Sequence, residues 1–83
     1  MGTTILLLDG WRVMIYTHDH GPAHVHLISA EARIKVWLNC PAGPLEPYEA
    51  RGVNRVTIRR LLEALESALN QLCHEWKKIH GDF

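Results

Sequence analysis

Between residues 58 and 79 the apolar side chains Ile58, Leu61, Leu62, Leu65, Ala68, Leu69, Leu72, Trp76 and Ile79 recur at steps of three and four. That spacing lines them along one side of an α-helix, while Glu63, Ser67, Asn70, His74 and Lys78 fall away from it. Such a stripe is stable in water only when another surface covers it, so the rest of the chain must supply that surface. With 83 residues there is room for a single domain, residues 1–83, and too little for a large internal catalytic cavity.

The helix is expected over residues 53–80. Asn54 is a natural N-cap with hydrophobic Val53 ahead of it, and Gly81 follows a basic last turn of Lys77, Lys78 and His80. Unbroken from residue 55 to residue 80 it would run roughly 39 Å at ~1.5 Å per residue. That is long for a small sheet, so its last turns are expected to overhang and meet a partner or a second copy in a homodimer.

Residues 1–48 read as β-hairpins and a loop. A β-rich apolar run at residues 3–8, the turn dipeptide Asp9-Gly10 and a second run at 11–17 form one hairpin, with Trp11, Val13 and Ile15 facing inward. Residues 24–30 and 32–38 form another, with Ile34, Val36 and Leu38 inward and Arg33, Lys35 and Trp37 outward. Three prolines between residues 39 and 47 cannot donate to a sheet ladder, so that segment is loop or edge, ending the sheet unless residues 45–48 add a short edge strand. The expected fold is α+β: an antiparallel sheet of about four strands in two hairpins, packed against one long C-terminal amphipathic helix.

Cys40 and Cys73 lack CxxC spacing, and the apolar run at 5–8 is too short for an export signal or a membrane span. Reduced thiols in a cytoplasmic protein that meets no membrane are therefore expected. Nine basic and nine acidic residues give a formal charge of zero, so any polyanion partner has to be argued locally.

The local anomaly is histidine: of six in the chain, four lie within nine positions, in the run His18-Asp19-His20-Gly21-Pro22-Ala23-His24-Val25-His26. Residues two apart on a strand share a face, so His24 and His26 project together. Paired imidazoles can transfer protons, contact phosphate when protonated, or bind a divalent metal with His18, His20 or Asp19 from across the turn. The bland alternative is local hydrogen bonding on a solvated face. A cupin-like pattern is met by His24, His26 and Glu31 but fails at Leu38, and a histidine-triad pattern fails at Ile28.

A second cluster is basic. Arg51, Arg55, Arg59 and Arg60 fall within ten residues free of acid, at a helix start where positive charge opposes the macrodipole. A phosphate or an acidic partner would reverse that cost. Otherwise the four form a solvated face, with Arg59 paired to Glu63.

Taken in order, Thr4-Ile5-Leu6, Gly10-Trp11-Arg12, Tyr16, the core His20-x-Pro22-x-His24-Val25-His26, Gly52 and the closing Trp76-x-x-x-His80-Gly81 resemble the small bacterial family called domain of unknown function 4160. Ala23 departs from it, standing where a second proline is common. The resemblance implies one half of a two-gene type II toxin–antitoxin module, here the toxin, with a cognate small antitoxin protein as partner. It carries over onto His20, His24 and His26, and onto Tyr16 as the aromatic before the loop. The expectation that follows is a cytoplasmic toxin acting on RNA or translation, with ribonuclease-like proton transfer by His24, His26, His20 and Tyr16 and backbone contacts from Arg51, Arg55, Arg59 and Arg60. It needs no cofactor. The alternatives are a non-catalytic binding or regulatory module, and a hairpin that holds a divalent metal.

Overall fold

A computed structural model describes residues 2–81. The chain is α+β, with five strands followed by two helices: β1 (Gly2–Leu8), β2 (Trp11–Tyr16), β3 (His24–Ile28), β4 (Arg33–Trp37), β5 (Glu46–Arg51), α1 (Arg55–Glu66) and α2 (Leu69–His80). The strands form one antiparallel meander in the order β1-β2-β3-β4-β5.

The first hairpin turns at Asp9 and Gly10, both with positive φ (46° and 82°), the backbone that a two-residue turn between twisted strands requires. Leu8 is then paired directly with Trp11. Along β2, β3 and β4, Val13, Ile15, Val25, Leu27, Ile34 and Val36 are all essentially buried on one face. Both helices cover that face: Leu61 and Leu65 of α1 and Leu72, Cys73 and Trp76 of α2 join the same core cluster.

Two expectations about the architecture are corrected. The sheet has a fifth strand, β5, on the edge beside β4, where Pro47 faces Val36 and a register irregularity accommodates it. An edge position is what a proline-bearing strand requires. The helix is also not continuous. It breaks at Ser67 and Ala68, where the Ser67 hydroxyl donates to the Ala64 carbonyl (2.9 Å), the Ala68 N–H bonds back to Leu65, and Ala68 leaves helical geometry at φ −107°, ψ 6°. An unbroken rod of roughly 39 Å would exceed the longest extent of the fold, 33 Å. The break lets both halves contribute to the core cluster over the sheet. The caps are as read: the Asn54 side chain accepts from the Thr57 N–H at 2.9 Å, and Gly81 ends α2 in the left-handed region.

The expectation of reduced thiols is overturned. Cys40, in the loop after β4, and Cys73, in the buried stripe of α2, are joined in a disulfide with Cα atoms 5.8 Å apart and a sequence separation of 33. Among the described residues no helix is long and apolar enough to cross a membrane.

Closing a loop of that length restricts the unfolded chain by about 3–4 kcal/mol in the chain-entropy account, a large share of the stability of so small a domain. Purified protein denatured without reductant should show no thiol reactive to a maleimide. The Cys40→Ser/Cys73→Ser pair should unfold at a clearly lower urea midpoint. An unchanged midpoint would show that packing alone holds the loop on the helix.

Candidate functional site

Because the inner face is apolar, alternation sends a different set of side chains to the outer face. Strand register aligns them in rows: Arg12 faces Ile28, Ile28 faces Arg33, and Arg33 faces Arg51. Two residues along, Met14 faces His26, His26 faces Lys35, and Lys35 faces Glu49. A further step brings His24 opposite Trp37, and Trp37 stacks on Tyr48 with centroids 3.9 Å apart.

Asp19 enters from the connection between β2 and β3. Its N–H bonds to the Tyr16 carbonyl at 3.1 Å, and its Oδ2 accepts the Tyr16 N–H at 3.2 Å, so the turn folds the carboxylate back over the end of β2. The same Oδ2 lies 3.0 Å from His26 Nε2 and 3.3 Å from His24 Nε2. Asp19, His24 and His26 thus bring one ligand-type atom each to within 4.8 Å of one another.

The rings are held from behind. His24, only 6% exposed, packs at 5.1 Å from Trp76, 5.5 Å from Trp37 and 5.1 Å from His26. Tyr16 meets His26 edge-on at 4.6 Å. His80 stacks on Trp76 at 4.0 Å and donates from Nε2 to the Tyr16 carbonyl at 3.1 Å, which ties the end of α2 to the site.

Proton placement follows from the partners. His24 Nδ1 lies 2.9 Å from the Pro22 carbonyl, which can only accept, so Nδ1 carries the hydrogen. In a neutral ring Nε2 then presents a lone pair, 3.3 Å from the Asp19 carboxylate. Two acceptors so close are held favourably only with a hydrogen or a cation between them.

Burial, the largest influence, lowers the His26 pKa below its ordinary value of 6.5; the Asp19 charge and hydrogen bond oppose this, and His24 and Lys35 add to the lowering.

His26 and Tyr16 also line a groove of about 680 Å³ across the outer face, together with Arg33, Lys35, Glu49 and Arg51. Lys35 pairs with Glu49 at 3.6 Å. Arg12, Arg33 and Arg51 are exposed, and none of them forms an ion pair among the described residues.

Of the residues singled out from sequence, His24 and His26 converge, Tyr16 is packed on them, and Arg51 shares their groove. His20 and His18 are exposed on the connection and outside the cluster. Arg55, Arg59 and Arg60 are exposed on α1 and do not line the groove, and no Arg59–Glu63 ion pair forms. Arg12 and Arg33 were missed as basic groups. The signal was their outward parity on strands whose other parity is wholly apolar.

The geometry describes a small α+β domain whose sheet carries an aspartate–histidine–histidine centre at one end, where Trp76 of α2 packs on the His24 ring. Residues 10–77 match the family model described as Domain of unknown function (DUF4160), and the chain belongs to that family. No curated protein and no solved structure matches the chain.

The depressed His26 value has a determined sign. Unfolded, the ring protonates near 6.5; folded, it protonates only at lower pH. The preference for the folded state is therefore full above 6.5 and is lost as pH falls toward the folded value. Urea midpoints taken in chelator from pH 7.5 to pH 5 should decline, and His26→Gln should flatten the decline. A midpoint that rises on acidification would show that the carboxylate, not burial, dominates the ring.

Proposed function

We propose that this chain acts on RNA as the toxin member of a two-gene toxin–antitoxin pair, with the outer face of the sheet as its RNA site. The observation that carries the reading is the register-aligned row of Arg12, Arg33 and Arg51 beside the groove that ends at His26 and Tyr16. Like charges directly across a strand pair destabilise a sheet, as at Arg33 and Arg51. An anionic backbone laid along the row turns that repulsion into binding, and guanidinium forks match phosphate oxygens in pairs.

RNA fits this face better than an isolated phosphate does. The groove is open and elongated across several strands, and the Trp37–Tyr48 stack offers an aromatic surface beside it, with Tyr48 39% exposed. Single strands are held by such a combination of positive groove and aromatic platform. Cleaving a phosphodiester requires a base at the 2′-oxygen and an acid at the leaving oxygen. The Asp19–His24–His26 centre brings that capacity to one end of the groove, through the imidazoles themselves or through water on an ion they hold. The cognate antitoxin is then a small protein that covers this face. The same face without turnover would be a binding module that inhibits by occupying its target, and the experiment below separates the two.

Anisotropy titration of a labelled unstructured RNA with wild-type protein and with Arg33→Glu/Arg51→Glu tests the groove. The double variant should bind at least about tenfold more weakly, with a salt slope smaller by roughly 1.4, at about 0.7 for each phosphate that a guanidinium no longer neutralises. Arg33→Lys/Arg51→Lys should retain most of the affinity. Equal binding by all three proteins would refute the groove. Binding without cleavage of the RNA on a gel would leave an RNA-occupying module and remove the ribonuclease.

A further inference from the structure

We propose that Asp19, His24 and His26 form a binding site for a divalent transition metal, with zinc the best-matched ion. The proposal stands on the cluster's own geometry and goes beyond the RNA reading, since it holds whether or not the groove binds a nucleic acid.

The first argument is convergence. Ligand atoms about 2.0–2.2 Å from a tetrahedral zinc lie roughly 3.3–3.5 Å from one another. Asp19 Oδ2 stands 3.3 Å from His24 Nε2 and 3.0 Å from His26 Nε2, and all three atoms fall within 4.8 Å. Adjustments of a few tenths of an ångström to about an ångström, within reach of side-chain rotation, bring them onto one ion. Of the two imidazoles only His26 makes a hydrogen bond to this oxygen; His24 Nε2 lies close to it without one.

The second argument is the fixed tautomer. A metal-bound imidazole commonly donates its other ring N–H to a carbonyl or carboxylate, which orients the ring and leaves the ligating lone pair free. His24 is held in this way by the Pro22 carbonyl at 2.9 Å. Its Nε2 stands 3.3 Å from Asp19 Oδ2 beside Trp37 and Trp76, with the side chain only 8% exposed. An ion between ring and carboxylate would satisfy both acceptors at once.

The donor set indicates the ion class. Two imidazoles and one carboxylate suit zinc, iron, manganese or nickel, and are a poor cage for calcium or magnesium, which favour oxygen throughout. Three protein ligands leave at least one coordination position, and of the three residues His26 also lines the groove. That position takes an oxygen ligand, either water or a phosphodiester oxygen.

The test uses untagged full-length protein, stripped with a chelator and titrated with zinc by calorimetry, with cobalt as a spectroscopic probe. One zinc per chain should bind, and cobalt should give the visible absorption of a low-coordinate nitrogen–oxygen site. His24→Ala/His26→Ala should weaken zinc by more than roughly a hundredfold, beyond the 10–100-fold that loss of a supporting hydrogen bond costs. Asp19→Asn, which keeps the shape of the turn, should weaken it by at least about tenfold if the carboxylate is a ligand. Circular dichroism confirms that each variant folds, and exposed His74 supplies the control, His74→Ala, which should bind as wild type. Zinc binding that is absent, or equal in wild type, Asp19→Asn and the double histidine variant, would overturn the site. Because Arg33→Glu/Arg51→Glu should keep its zinc, failure of the RNA reading and failure of the metal site are separately visible.

Discussion

Everything on the outer face depends on what is buried beneath it. Val13, Ile15, Val25, Leu27, Ile34 and Val36 are sealed against Leu61, Leu65, Leu72 and Trp76, and at about 25 cal/mol per Å² of apolar surface this is the dominant favourable contribution to folding. Side chains alternate with period two, so burial of one parity fixes the other. A slip of one residue would drive His24 and His26 into the core and expose Val25. The core therefore determines the register of the site as firmly as it determines stability, although no member of the aspartate–histidine centre belongs to it.

The centre is nevertheless built against the core rather than placed loosely on it. Trp76 is fully buried on α2 and touches the His24 ring, and the His80 ring stacks on Trp76 while holding the Tyr16 carbonyl. Tyr16 in turn gives its N–H to Asp19. A continuous chain of contacts thus runs from the end of α2 through the end of β2 to the carboxylate and both imidazoles. The Cys40–Cys73 bond fixes the same helix one turn earlier. Positioning a polar cluster by rigid elements is what lets a domain of this size hold it with little spare cavity.

Much of this was legible in the sequence, and the failures have physical causes. The apolar stripe from Ile58 to Ile79 located the helical region, and strand parity located the inner face and paired His24 with His26. The helix break left no trace because Leu65, Ala68, Leu69 and Leu72 continue the three-and-four rhythm straight through it; only the dimensions of the sheet require a bend. The fifth strand was obscured by prolines, which disfavour interior strands but are compatible with an edge. The disulfide joins a loop to a helix face across 33 residues, a pairing that depends on tertiary approach and leaves no spacing motif. Arg12, Arg33 and Arg51 lie far apart in sequence and fall into one row only through strand pairing, with Ile28 between Arg12 and Arg33, whereas Arg55, Arg59 and Arg60 cluster in sequence and lie exposed on α1.

That contrast bears on the RNA site proposed for a chain of zero formal charge. Net charge governs attraction at distances beyond a Debye length of about 8 Å in physiological salt; inside that distance the local arrangement decides. Here three guanidiniums, none in an ion pair among the described residues, share one face with a carboxylate whose charge is already engaged by two imidazoles and a backbone N–H. A divalent ion at that carboxylate would turn a negative spot near the groove into a positive one, although Glu31 and Glu49 still line the groove. The basic row and the aspartate–histidine centre are then parts of one electrostatic design: each makes an anionic ligand more favourable at the other, and the whole arrangement follows from which residues the core leaves outside.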